Sequence, residues 1–432
     1  MKPARYLSWT IAAVLVPGAA LAAPQTGQAG EPGFKLYSAR AAGGYDTAIV
    51  TEDGRVEDGV FIFVPAAIAY QNPTGRGNLQ FIYEPEFEIF QTYSELNAWN
   101  QAAGLSYSLQ ATRDLGISAG GTFLYTHDRS RQTSGLALSR RGLYVEGRGY
   151  FSVSYRLGRD TSLSVGANSW LTRTQVEPQA SLSTEVDEWR NTFSVGLTQT
   201  FATSHQLLLS YTRLEASILN TDDLPDENLG DRSGQDAVSA GYQLSVARSG
   251  LRLGGTAGVI RLPREAGGDD YTYSFSASID KTWSTFDVGG GYQRTLSGLF
   301  RLDPGNPADG IRDPLLNQGI SESANFLVSG EIGRRLTINQ QLSYSRTEVS
   351  ALTEPIEALV WSASAGIVIT ERTVPFVNVM YWDQTASEDD LAFSRVRITA
   401  GLRFYWDAPA PGRPHYGFES IRSILPIRTM EQ

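Results

Sequence analysis

The chain has 432 residues, 46 acidic against 36 basic side chains, a formal net charge of −10 and no cysteine. The acidic balance supplies no basic stripe for nucleic acid. Without thiols there are no disulfides, no thiolate metal sites and no lipid attachment at an N-terminal Cys. The three histidines, at 127, 205 and 415, offer few general bases, so neither an enzyme nor a cofactor is expected.

Lys2 and Arg5 precede an apolar run at residues 7–16, which Pro17-Gly18 breaks ahead of Ala20-Leu21-Ala22. That is the layout of a secretory signal, so residues 1–22 are expected to be cleaved. The run falls short of the roughly 20 residues of a spanning helix, and no later stretch comes closer. Residues 23–33 are polar and rich in Pro and Gly and read as a disordered leader.

From residue 34 to residue 406 nearly every segment alternates apolar and polar side chains, the period of a strand with two unlike faces. Strands are predicted at 34–46, 59–70, 79–91, 101–112 and 115–126, then at 145–157, 162–172, 189–201 and 205–215. They continue at 237–246, 251–262, 271–280, 284–294 and 323–332, and end with 336–346, 358–370, 373–382 and 395–406. The last is the clearest: Val396, Ile398, Ala400, Leu402 and Phe404 oppose Arg397, Thr399, Gly401, Arg403 and Tyr405. So many amphipathic strands exceed what one closed core absorbs. A single all-β ring, an up-and-down antiparallel transmembrane barrel of about 18 strands, satisfies them all. The segment 59–70 alternates poorly and contains Pro65, so a ring of 16 is the expectation if the first pair lies outside the wall.

Short links, such as 113–114, 158–161 and 202–204, alternate with long ones, such as 127–144, 173–188 and 295–322. That is the pattern of tight periplasmic turns and longer outer loops. The tryptophans suggest two aromatic girdles, with Trp170, Trp189, Trp361 and Trp382 near the long loops and Trp283 and Trp406 near the short turns. The composition therefore points to the outer membrane of a Gram-negative cell, with outer-membrane lipid and lipopolysaccharide as surroundings. Residues 407–432 form a periplasmic tail whose 418–427 segment is apolar enough for one short turn or strand.

On this register Glu84, Glu86 and Glu88 share the lumen face of one strand, roughly 7 Å apart. Arg148, Arg156, Arg190, Arg252, Arg397 and Arg403 also point inward, and charges of both signs argue against a strongly ion-selective pore. The plain reading of these groups is a solvated, mixed-charge lumen wall. His127, Asp128 and Ser130 would need a loop to converge as a hydrolase site. The acidic clusters 222–227, 269–270 and 388–390 lack calcium-loop spacing and read as solvated loops, so no metal is expected. Gly289-Gly290-Gly291 is a strand kink, because no helix follows it to cradle a phosphate.

Residues 39–47 (ARAAGGYDT), 52–58 (EDGRVED), 79–90 (LQFIYEPEFEIF), 95–100 (ELNAWN) and 155–163 (YRLGRDTSL) together carry a family likeness. They resemble outer-membrane barrels encoded with exopolysaccharide-export and exosortase systems. The resemblance implies a conduit for a secreted polysaccharide, working with a periplasmic export component, and it carries over no catalytic residues. Two other expectations stand beside it. One is a general diffusion porin, with residues 295–322 and their Asp303, Asp309 and Asp313 as a constriction loop. The other is a structural or adhesive barrel with a filled lumen.

Overall fold

A computed structural model describes residues 33–51, 54–127, 143–175, 188–218, 232–246, 249–262, 269–299, 318–333, 335–348, 355–370, 372–385 and 392–406. The signal segment, most of the leader, the tail and most of the long links lie outside these residues. Among them are 18 strands. The first nine are β1 (Gly33–Thr51), β2 (Gly54–Pro73), β3 (Gly77–Phe90), β4 (Ala98–Gln110), β5 (Leu115–Thr126), β6 (Leu143–Arg156), β7 (Thr161–Gln175), β8 (Glu188–Phe201) and β9 (His205–Ile218). The second nine are β10 (Arg232–Val246), β11 (Leu251–Leu262), β12 (Asp270–Thr282), β13 (Phe286–Leu299), β14 (Gln318–Ile332), β15 (Leu336–Glu348), β16 (Ile356–Ile367), β17 (Thr373–Thr385) and β18 (Phe393–Tyr405).

Each strand pairs antiparallel with the next along the chain. The ring then closes where β1 pairs with β18, from Ser38 opposite Tyr405 to Asp46 opposite Arg397. The fold is a closed 18-stranded antiparallel barrel, and the first pair belongs to the wall. Pro65, which made that pair doubtful, lies in a bulge of β2 where the register with β3 shifts between Phe63 and Ile68. A bulge is where a strand tolerates a residue without an N–H.

Short turns join β2–β3, β4–β5, β6–β7 and the later even-to-odd pairs, and longer links lie at the opposite end. The first hairpin is the exception. Only residues 52–53 separate β1 and β2, and these strands, at 19 and 20 residues, extend where the others loop. Three short turns share one device, a Thr hydroxyl that accepts a backbone N–H three residues on. The pairs are Thr74 with Gly77 at 2.9 Å, Thr112 with Leu115 at 3.1 Å and Thr370 with Thr373 at 3.0 Å. Two others place Gly250 and Gly333 at positive φ, which favours glycine.

Registered partners share a face of the sheet, so the ladder sorts every side chain as inward or outward. The outward set is apolar and uncovered, with Leu209 54%, Ile279 52%, Val259 55% and Leu402 55% exposed. Between the two rims it carries no charged side chain among the described residues. Outward charges gather at the long-link rim, where Arg213, Asp236 and Arg261 stand directly opposite one another, as do Arg294, Glu322, Arg346 and Glu357. Just below that row lie outward aromatics, among them Tyr211, Tyr273, Tyr292, Tyr344 and Trp361. Tyr107, Tyr155, Trp283 and Phe404 lie near the opposite rim. An apolar band bounded by aromatics, with charge beyond it, suits hydrocarbon flanked by headgroups.

The chain has no native thiol, so single cysteines can test this sorting. Leu209→Cys and Ile279→Cys should react only with lipid-soluble maleimides in reconstituted vesicles, and Asn325→Cys and Gln341→Cys only with water-soluble ones. The reverse labelling pattern would mean that the apolar band does not face lipid.

Candidate functional site: the inner wall

The inward face is not uniform, and its densest part spans the closure seam. Along β18, β1, β2 and β3 the inner surface begins with an apolar floor of Ala42, Val60, Ile62, Phe90 and, from β17, Phe376. Charged side chains fold over this floor. Asp46 on β1 receives Arg395 in a fork, Nε to Oδ1 at 2.9 Å and Nη2 to Oδ2 at 2.5 Å. Arg397 lies 3.8 Å from the same carboxylate through Nε and pairs with Glu88 through Nη2. Arg40 reaches over β2 to Glu86 at 2.5 Å and Glu84 at 3.4 Å on β3.

These contacts skip strands. Arg397 and Glu88 are three strands apart, an arc of about 14 Å at ordinary strand spacing. Both side chains must therefore lie along the inner surface, above β1 and β2. Burial is complete at the centre: Asp46 and Glu88 are 0% exposed and Glu86 is 1%. Isolated charges would be costly to bury there, and the interleaving of both signs is what makes the arrangement tenable.

The seam needs this layer for a geometric reason. Every other ladder in the ring joins consecutive strands, and its turn helps to set the register. β1 and β18 are the two ends of the barrel and have no such turn. A slip of two residues would keep apolar groups outward, so the alternation alone cannot forbid it. Asp46 with Arg395 and Arg397 can, and so can two inward glycines. A Cβ at Gly44 would stand 2.0 Å from the Ile398 carbonyl oxygen, and one at Gly401 would stand 2.1 Å from that of Ala41. Only these small residues fit at these register positions.

A second inward cluster occupies β6–β8. Arg148, Trp170 and Arg190 are direct register neighbours. The guanidinium carbons lie 4.5 and 4.6 Å from the indole centroid, within cation–π range. Glu146 accepts from Tyr144 at 2.7 Å and pairs with Arg148 at 2.6 Å. Nearby, Asn100 Oδ1 accepts from the Thr126 hydroxyl at 3.1 Å and from the His127 amide at 3.0 Å.

The structure places Glu84, Glu86, Glu88, Arg148, Arg190, Arg397 and Arg403 on the inner wall. Arg403 lies 5.3 Å over the Phe376 ring. Arg156 has inward parity but stands exposed at the short-turn rim, away from both clusters. Two girdle expectations need correction. Trp170 and Trp382 face inward, since Trp170 is registered with Arg148 and Trp382 with Arg395. Height along the strand placed them near the membrane edge, but parity turns them towards the lumen. Trp189 and Trp361 point outward near the long-link rim. Trp283 is exposed in the turn after β12, and Trp406 follows β18 against Phe404.

Asp128, Ser130, the 222–227 and 388–390 clusters and Asp303, Asp309 and Asp313 lie outside the described residues. Gly289–Gly291 sits within β13 with unbroken pairing on both sides. Asp46, Arg40 and Arg395 join the inner wall without having been singled out from the sequence, although alternation along 34–46 sets Tyr45 on one face and Arg40 and Asp46 on the other.

Solved structures similar to this ring include a porin and an iron transporter. The BenF-like porin from Pseudomonas fluorescens Pf-5 is 10% identical, with 86% of this chain and 98% of that chain covered at a TM-score of 0.43. OccK2 (OpdF) from Pseudomonas aeruginosa has the same identity, coverage and score. The FrpB iron transporter from Neisseria meningitidis (F5-1 variant) is 10% identical over 83% of this chain and 65% of that one, at 0.42. Likeness this distant carries no argument about cargo, and the barrel described above rests on its own pairing. No family model and no curated protein matches the sequence.

The seam layer is testable in the intact barrel. Asp46→Asn and Arg395→Gln should each lower unfolding stability in detergent by roughly 3–5 kcal/mol, the cost of stranding a buried charge. The double variant should lose much less than the sum. Additive losses in urea titrations followed by tryptophan fluorescence would remove the fork as the seam's determinant.

Proposed function

We propose that this chain is an outer-membrane channel through which small hydrated solutes diffuse passively. One observation carries the reading: a closed ring with an apolar exterior and a polar inner face that is still partly exposed along β10–β15. Rings of 16–18 strands are wide enough to leave an aqueous passage, because wall side chains cannot meet across the middle. Nothing in this mechanism needs covalent chemistry. A solute enters, exchanges hydration for weak wall contacts and leaves at the other side.

Export of a secreted polysaccharide is the second reading, and the family resemblance is not its only support. The exposed part of the inner wall is built from hydroxyl and amide side chains, which suit a sugar chain. A periplasmic export component and surrounding lipopolysaccharide belong to this reading as proposed partners.

Planar bilayers separate the cases. A diffusion channel should give stable, ohmic single-channel steps in KCl with only mild preference between K⁺ and Cl⁻, because the buried charges of the seam are paired with their opposites and held within the wall. Loss of surface polymer on gene deletion would favour export. Purified, folded protein that never conducts would sink both readings in favour of a filled barrel.

A further inference from the structure

The inner wall divides into two unlike halves. From β17 around the seam to β3, and again over β6–β8, it carries paired charges and much of it is buried. From β10 to β15 the inward residues are mostly hydroxyls, amides and glycines, such as Gln243, Thr256, Ser276, Asn325, Gln341 and Ser343, with Ala237, Ile260, Leu262 and Leu327 as apolar exceptions. Along those six strands the inward charges among the described residues are confined to the rims. Arg252, Asp280, Asp287 and Glu331 lie near the short turns and Asp270 near the long links. The uncharged half is also the more open one. Asn325 and Gln341 are exposed and most of their inward neighbours half-buried, whereas Asp46, Glu86 and Glu88 have virtually no surface.

The hydroxyls of this half hold one another across strands. Thr256 pairs with Ser276 at 2.7 Å, and Ser239 pairs with Ser210 of the adjoining β9 at 2.6 Å. Such groups donate and accept at once, and a neutral pair can open to a passing hydroxyl without stranding a charge. A charged wall would instead hold counter-ions and tightly bound water, which an uncharged solute gains little by displacing. Many weak, equivalent sites in a row permit entry and release alike.

We infer that the β10–β15 wall is a track for uncharged, polyhydroxylated solutes, that is, neutral saccharides, and that water and solute pass along this side of the lumen. The inference rests on the channel reading, and the two can fail separately. Purified protein is first reconstituted and its KCl conductance recorded, then influx into proteoliposomes is followed by osmotic swelling. A neutral trisaccharide is compared with a uronic-acid trisaccharide of equal length. Absence of KCl conductance overturns the channel and the track together. With conductance present, the neutral sugar should enter severalfold faster, and equal or inverted rates overturn the track alone.

Ser276→Glu and Gln341→Glu, each checked for a folded barrel by heat-modified gel mobility, should cut neutral-sugar influx severalfold while raising K⁺ preference. The outward Leu342→Ala should change neither. Unchanged sugar influx in both charged variants overturns the track. A long neutral glucan is the last probe. Its passage assigns the track to polymer strands and its exclusion to short saccharides, and either result presupposes the uncharged wall acting as inferred.

Discussion

A β-strand can cross hydrocarbon only if both of its edges are hydrogen-bonded, and this chain meets that requirement through one pairing, β1 with β18. Every other ladder joins neighbours in the chain and forms locally. The closing ladder unites residues more than 350 positions apart, and until it forms, two edges of unpaired amides face lipid. The placement of specialised residues follows from this. The two inward glycines that allow close approach, the Asp46–Arg395 fork and the Arg397–Glu88 bridge all concentrate at the seam.

A buried ion-pair layer is weak evidence for net stability, since well-packed apolar residues often do as well. Its value here lies in discrimination. The outward apolar pattern rejects a one-residue slip because every face would invert, but it tolerates a slip of two. Arg397, held at once by Asp46 opposite and by Glu88 two strands further on, and the close-approach glycines 44 and 401 distinguish those alternatives. The apolar floor beneath keeps water from the pairs and sharpens the distinction.

Much of this was legible in the sequence because a barrel of this type is a local code. Period-2 alternation located nearly all the strands, and the ring of 18 follows from counting them. Pro65 looked like a reason to remove a strand and proved to mark a bulge within it. The tryptophans show where local reading stops. Trp170 and Trp382 lie at the expected height, but which face they occupy depends on strand parity, and parity sends them inward beside Arg148 and Arg395. The seam cluster was half visible. Glu84, Glu86 and Glu88 announce an inward acidic row, yet Arg40 meets it only by reaching over an intervening strand, and Arg397 sits on a strand that comes near β3 only after closure. No sequence-local signal connects position 88 with position 397.

The segregation of the lumen follows from the same closure. Strands β18, β1, β2 and β3 carry the register-setting charges because the seam is there, and charges buried in that wall must be paired with their opposites to be tolerated. Strands β10–β15 lie across the ring, their register already set by their own turns, and have no need of ionic locks. Their inward positions are free to be small, neutral and hydrogen-bonding. The result is a lumen whose strongest electrostatics are spent within one wall, while the opposite wall meets water through hydroxyls and amides. A solute inside would encounter a weak net field and a dense row of exchangeable hydrogen bonds, and its own charge and hydroxyl content would then decide how readily it moves.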